Sequence, residues 1–150
     1  MRRRNIILAS VGSIGIISIA GCSSNTNEKR KVIPPNEPFT IGDIRYTISG
    51  TTGDSNYFGN REYYATEGNI LINIDMRLEN VGEDTVKIDT DGRIETPDGD
   101  LVDPEGRLYG TLELSSGNET GGSMLFGVAD DHSKWHFIID NKSVPIVKDA

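Results

Sequence analysis

Between residues 68 and 80 the chain alternates. Ile70, Ile72, Ile74, Met76 and Leu78 share one parity, and Asn73, Asp75, Arg77 and Glu79 share the other. Period 2 sends alternate side chains to opposite faces of a pleated strand, whereas a helix would scatter these five apolar residues around its circumference. The stretch therefore predicts a long antiparallel strand with one dry face and one wet face. Burying the five apolar side chains is worth roughly 7–15 kcal/mol gross, an upper bound because unfolded chains are already partly collapsed. A face of that kind needs an opposing layer, which other segments must supply.

Ile44, Tyr46 and Ile48 alternate with Arg45, Thr47 and Ser49, giving a first strand in a domain expected to begin near Phe39. Residues 50–61 read as a Gly/Thr/Asn/Asp loop carrying Tyr57 and Phe58, with Tyr63 and Tyr64 just beyond. Residues 80–84 read as a turn, in which Gly82 is able to take a positive φ. Val86 and Ile88 suggest a short strand, and Asp91-Gly92 and Asp98-Gly99 are turn pairs of hairpin type. Met124, Phe126 and Val128 alternate with Leu125 and Gly127; Trp135, Phe137 and Ile139 alternate with His136 and Ile138. Residues 141–150 read as a frayed edge. No amphipathic helical stretch follows Cys22, and no repeat of 20–50 residues occurs. Seven to eight short strands in this span predict an all-β fold, an antiparallel two-sheet immunoglobulin-like sandwich. A small closed barrel is the alternative.

The N-terminal end is of another kind. Arg2, Arg3 and Arg4 precede an apolar run diluted by Ser10, Gly12, Ser13, Gly15 and Ser18, too short and Gly/Ser-rich to span a bilayer. Ile19-Ala20-Gly21-Cys22 resembles the lipobox of prokaryotic lipoproteins, in which the cysteine is lipidated and becomes the new N-terminus. Arg3-Arg4-Asn5-Ile6-Ile7 resembles a twin-arginine export signal, although three arginines serve an ordinary secretory signal equally well. The expected layout is a lipoprotein signal peptide at 1–21, a lipid-anchored flexible linker at 22–38 and a sandwich domain at 39–150. Cys22 is the single cysteine, so no disulfide can form within the chain and the domain depends on its core. Two acyl chains anchor stably where one does not.

Charge narrows the partners. The chain carries −8 in all; 12 of its 15 Lys and Arg and all 23 Asp and Glu follow Cys22, which leaves that part at −11. Nucleic acid and anionic lipid surfaces are poor partners for such a field, and the acidity suits a halophile's exported protein as well as any acidic surface domain.

Signals for catalysis are weak. Asp130-Asp131-His132-Ser133 contains acid, base and nucleophile, but chain neighbours do not converge as a triad, so a turn is the simpler reading. His136 is expected on a strand surface. No nucleophile elbow, phosphate loop or zinc signature occurs. Asp89, Asp91, Asp98, Asp100, Asp103 and Glu105 form an acidic, Gly-punctuated region that begins like a calcium loop but lacks the third ligand and the distal glutamate. Tyr57, Phe58, Arg61 and Tyr63 combine the residue types that dominate interface hot spots with a loop setting. Asn118-Glu119-Thr120 and Asn141-Lys142-Ser143 are N-glycosylation sequons in expected turns.

Ile41-Gly42-Asp43, the strand ending Leu78-Glu79-Asn80-Val81-Gly82-Glu83, Pro97-Asp98-Gly99, Gly117-Asn118-Glu119-Thr120-Gly121 and Met124-Leu125-Phe126-Gly127-Val128 follow one another over residues 39–140. This order resembles the telokin-like, immunoglobulin-fold domain of unknown function in prokaryotic secreted lipoproteins of haloarchaeal type. The resemblance implies an extracytoplasmic sandwich without an assigned active site. The chain departs from the usual immunoglobulin pattern in lacking the disulfide pair, so Trp135 is not equated with the tryptophan that packs on it. The expectation is a lipoprotein anchored through Cys22 to the outer face of the cytoplasmic membrane. Its domain would bind a protein or glycan partner, or serve the envelope structurally, without catalysis, cofactor or nucleic acid. The alternative is a solute- or Ca²⁺-binding accessory domain using the acidic 89–105 region.

Overall fold

The computed structural model describes residues 30–110 and 112–149. The chain divides into two compact units, Met1–Lys31 and Val32–Ala150, and nearly all of the first lies outside the described residues. Fourteen strands are described: Lys31–Val32 (β1), Phe39–Ile41 (β2), Ile44–Gly53 (β3), Ser55–Phe58 (β4), Arg61–Tyr64 (β5), Asn69–Asn80 (β6), Val86–Lys87 (β7), Gly92–Glu95 (β8), Leu101–Val102 (β9), Gly106–Tyr109 (β10), Glu113–Leu114 (β11), Glu119–Ala129 (β12), Lys134–Ile139 (β13) and Lys142–Val147 (β14). They outnumber the seven or eight expected because several two-residue pieces pair only briefly.

Two five-stranded antiparallel sheets form the sandwich. Sheet A runs β9–β8–β13–β14–β1 and sheet B runs β10–β12–β6–β3–β2. β6 is the central strand of sheet B. It pairs with β12 from Glu79↔Glu119 to Asn69↔Ala129, and with β3 from Asn80↔Ile44 to Leu71↔Gly53. Its dry face is the one that period 2 predicts: Ile70, Ile72, Ile74, Met76 and Leu78 all lie in the core cluster. They meet Ile94, Trp135, Phe137, Ile139, Val144 and Ile146 of sheet A, with Phe126 and Phe137 edge to face at 6.1 Å across the layers. Edge-to-face rings add about 0.5–1.5 kcal/mol beyond their area burial.

Several sequence expectations need correction. The folded unit begins before Phe39: Ile33 is buried, and its N–H donates to the Ser143 carbonyl at 2.8 Å. Residues 50–53 continue β3, and 55–64 form a hairpin rather than a loop. Residues 142–147 are an interior strand of sheet A, not a frayed edge, because Val144 and Ile146 alternate into the core. Gly82 does not adopt a positive φ; a Cβ there would strike the Asp43 side chain. Gly92 opens a strand instead of a turn, and its missing Cβ leaves room for the Phe137 ring. Gly99, at φ +93°, does keep its turn role.

The wet face of β6 is only partly wet. Asn73 is 8% exposed, and Leu71 beside it is 3% exposed although it lies outside the main core cluster. On the dry face, past Leu78, Asn80 is fully buried and its side chain fully bonded. Its amide donates to the Asp84 and Leu114 carbonyls, and its Oδ1 accepts from the Gly82 N–H at 2.9 Å. A buried side chain satisfied in this way fixes the turn after β6.

Candidate functional site

The partner-contact residues expected from the sequence lie on the β4–β5 hairpin. Ser55, Asn56, Tyr57 and Phe58 pair with Tyr64, Tyr63, Glu62 and Arg61. Gly59, at φ +69°, opens the two-residue connection, as a II′ turn requires at its first position. Period 2 then divides the hairpin into two faces. Phe58, Tyr63, Arg61 and Asn56 share one face; Tyr57, Tyr64, Glu62 and Ser55 share the other.

The first face lies against the outer side of sheet B. A Cβ on Gly106 would come within 3.0 Å of the Phe58 ring, so the absence of a side chain there seats the phenylalanine. Phe58 meets Tyr63 edge to face at 6.1 Å, and the Arg61 guanidinium stands 5.6 Å over the Tyr63 ring. Beneath this hairpin Leu71 and Leu125 are shielded from water. Phe58 and Tyr63 are half-buried and secure the hairpin, whereas of the four expected contact residues Tyr57 and Arg61 are exposed.

The other face is open. Tyr57 and Tyr64 are each 70% exposed, and the Tyr64 hydroxyl donates to Glu62 Oε1 at 2.8 Å. That bond holds the Tyr64 proton and raises its pKa above the ordinary tyrosine value. Tyr64, which the sequence places with the other aromatics of this segment, is not among the four expected contact residues. The signal for it was present: Gly59-Asn60 between two alternating tetrapeptides is a hairpin pattern that fixes which tyrosines share a face.

The acidic region does not converge. Asp91 pairs with Arg107 at 2.8 Å, Asp103 with Arg93 at 3.0 Å, and Asp98 faces His132 Nε2 at 3.4 Å. Asp100 tightens its own turn through its N–H to Thr96 Oγ1. Among the described residues, no group of three or more His, Cys, Asp or Glu is placed to hold a metal. Asp89 and Asp91 line an open cleft of about 340 Å³ with Thr90, Arg107 and Tyr109. At its base the Tyr46 hydroxyl meets Thr90 Oγ1 at 2.9 Å, and the Tyr109 hydroxyl donates to the Thr90 carbonyl at 3.1 Å. Burial pushes both phenols above their ordinary pKa. These contacts tie the 88–91 segment to sheet B.

The histidines are apart. His132 also lies 3.4 Å from Asp131, and Ser133 is only its chain neighbour. His136 sits opposite Glu95 and Pro145 on the outer side of sheet A. Its pKa is lowered, first by burial and then by Lys134, against an opposing pull from Glu95. Asn118 and Asn141 both lie in turns, before β12 and before β14. Cys22 and the whole 1–21 segment lie outside the described residues, and among those described no helix is long and apolar enough to cross a membrane.

Comparison with known proteins bears on the fold. No protein-family model matches the chain, and no curated protein matches it in sequence. Solved structures do match. A conserved hypothetical protein from Bacillus anthracis superposes with a TM-score of 0.60 at 12% identity, over 72% of this chain and 92% of that one. An uncharacterized β-sandwich protein from Clostridium difficile gives 0.56 at 11% identity, over 79% and 93%. The secreted protein MPT63 from Mycobacterium tuberculosis gives 0.56 at 9% identity, over 79% and 97%. At such identities the likeness is one of architecture, and it agrees with the sandwich.

Proposed function

We propose that this chain is an extracytoplasmic lipoprotein of the telokin-like, immunoglobulin-fold type, anchored through Cys22 and acting as a binding domain rather than an enzyme. Its contact surface for a protein or glycan partner is the open face of the β4–β5 hairpin. One observation carries the reading: Tyr57 and Tyr64 are each 70% exposed on a hairpin whose opposite face is secured by Phe58 and Tyr63. Rigid aromatic rings offer large contact area at low entropic cost, and tyrosine is enriched where partners bind. The lipobox-like Ile19-Ala20-Gly21-Cys22 and the acidic remainder of the chain support export and anchoring.

The test places a photo-crosslinking residue at Tyr57, and separately at the exposed Val81, in full-length protein within intact cells. Adducts are expected from position 57 and not from 81. They should weaken with Tyr64→Ala and move to the soluble fraction with Cys22→Ser. Equal adducts from both positions, or none from 57, would overturn the hairpin reading. Membrane retention of Cys22→Ser would overturn the anchor.

A further inference from the structure

Two sequons stand outside the hairpin reading, Asn118-Glu119-Thr120 and Asn141-Lys142-Ser143. The same triplet chemistry sits in two different surroundings. N-glycosylation uses the asparagine amide as the attacking group and reads the hydroxyl two residues on, so a transferase must reach both side chains together.

At the first sequon the fold holds the backbone and leaves the side chains idle. The Asn118 N–H donates to the Ser115 carbonyl at 3.0 Å, across a turn whose third residue, Gly117, has φ +79° as a type II turn requires. The Asn118 carbonyl accepts from the Asn80 N–H at 2.9 Å. Those bonds fix the backbone without using the asparagine side chain, which is exposed and bonds to no described residue. Thr120 shares the Asn118 face, two residues along the chain. It is half-buried, and its hydroxyl has a single long contact, 3.5 Å to the Gly121 carbonyl. Gly110 keeps the space beside that hydroxyl open, since a Cβ there would come within 2.5 Å of Thr120 Oγ1. Among the described residues, Glu119 and Thr120 pair with β6 alone, because the β10 ladder reaches only Gly122. A strand end paired on one side frays at low cost.

The second sequon is closed. Asn141 Oδ1 accepts from Lys142 Nζ at 2.7 Å. Ser143 is 6% exposed and lies inside β14, opposite Ile138 of β13 on one side, while its carbonyl accepts the Ile33 N–H on the other. Freeing the Ser143 hydroxyl would require β14 to leave both neighbours.

We infer that Asn118 is an N-glycosylation site of the folded domain and that Asn141 is not. The donor class is a saccharide carried on a membrane lipid phosphate. Asn118 Nδ2 forms a bond to C1 of the sugar, the C1–O bond to phosphate breaks, the lipid phosphate leaves with that electron pair, and one Nδ2 proton is released. The glycan then stands at the Asn80 end of β6, whereas the β4–β5 hairpin covers Leu71 near the Asn69 end. The inference rests on export of the domain, and on neither the hairpin contacts nor the Cys22 lipid.

The experiment isolates the protein from the membranes of the cells that make it and reads intact and peptide masses. The peptide holding Asn118 should carry one or more saccharide units, and the peptide holding Asn141 should have its bare mass. Asn118→Gln and Thr120→Val should each abolish the increment, Thr120→Ser should keep it, and Asn141→Gln should leave it unchanged. Asn118 is exposed, so Asn118→Gln keeps the fold and the test stands even if Thr120→Val does not fold. Bare Asn118 in protein that has lost residues 1–21 would overturn the site and leave export intact; bare Asn118 in protein that retains them would overturn export as well. Equal occupancy of Asn141, or an increment that survives in folded Thr120→Val, would also overturn the inference.

Discussion

The two faces of β6 are built from one stretch of chain and behave differently. Inward, five apolar side chains meet one continuous opposing surface, and Ile72, Ile74 and Leu78 have no exposure at all. Outward, the strand changes character along its length. Leu71 and Asn73 lie under the β4–β5 hairpin, Asp75 lines an open trough, Arg77 pairs with Glu119 at 3.1 Å, and Glu79 ends in an exposed pair with Arg45 at 3.0 Å. The inner face is a matter of local alternation and the outer face of what another part of the chain lays over it. Stability is thus concentrated on one side, and the exposed polar and charged side chains on the other.

Substitutions that separate the two faces should fall in a clear order. Leu78→Ala on the inner face should cost about 2–5 kcal/mol, since it leaves a cavity in a fully buried position; urea denaturation reads this directly. Gly92→Ala should come next, at about 1–3 kcal/mol, because the new methyl group meets the Phe137 ring in a packed core. Phe58→Ala on the outer side should cost about 1–2 kcal/mol for a half-buried ring and should expose Leu71 and Leu125. Its distinguishing mark is faster proteolytic cleavage within 55–64 with little change elsewhere. Arg45→Ala, which breaks an exposed ion pair, should cost less than about 1 kcal/mol and only at low salt. Calcium at micromolar concentration should leave the melting temperature nearly unchanged, because Asp91 and Asp103 already face arginines.

Acid should act through sheet A. His136 has its folded pKa lowered, chiefly by burial, below the unfolded value of about 6.5. The unfolded chain therefore binds the proton first, and stability attributable to His136 falls as pH drops through about 6.5, levelling off below the folded pKa. His136→Gln should flatten that part of the stability curve.

The inner face was legible because alternation is a local property: the parity of Ile70 through Leu78 identifies the core without knowledge of its partner. The 142–147 strand was misread because Pro145 and Lys142, with Lys148 just beyond, mask an alternation carried only by Val144 and Ile146. The start at Val32 was missed because Val32 and Ile33 are a bare apolar pair between Lys31 and Pro34-Pro35, and a bond from Ile33 to Ser143, more than a hundred residues away, reveals their place. Tyr57, Phe58, Arg61 and Tyr63 were rightly grouped in one segment but not sorted by face. Sorting them required the Gly59-Asn60 turn. Gly92 reads as a turn residue because it follows Asp91, and Gly82 as a positive-φ residue because it lies in a turn, whereas Gly92 admits Phe137 in a strand and Gly82 admits Asp43 within its turn.

Amide hydrogen exchange tests the contrast between the faces most directly. The account predicts that 70–78 and 124–128 exchange only with global unfolding, while 55–64 opens on its own at a lower free energy and Leu71 stays protected until it does. Exchange of the hairpin at the global rate, or early exchange along the isoleucine face of β6, would contradict it.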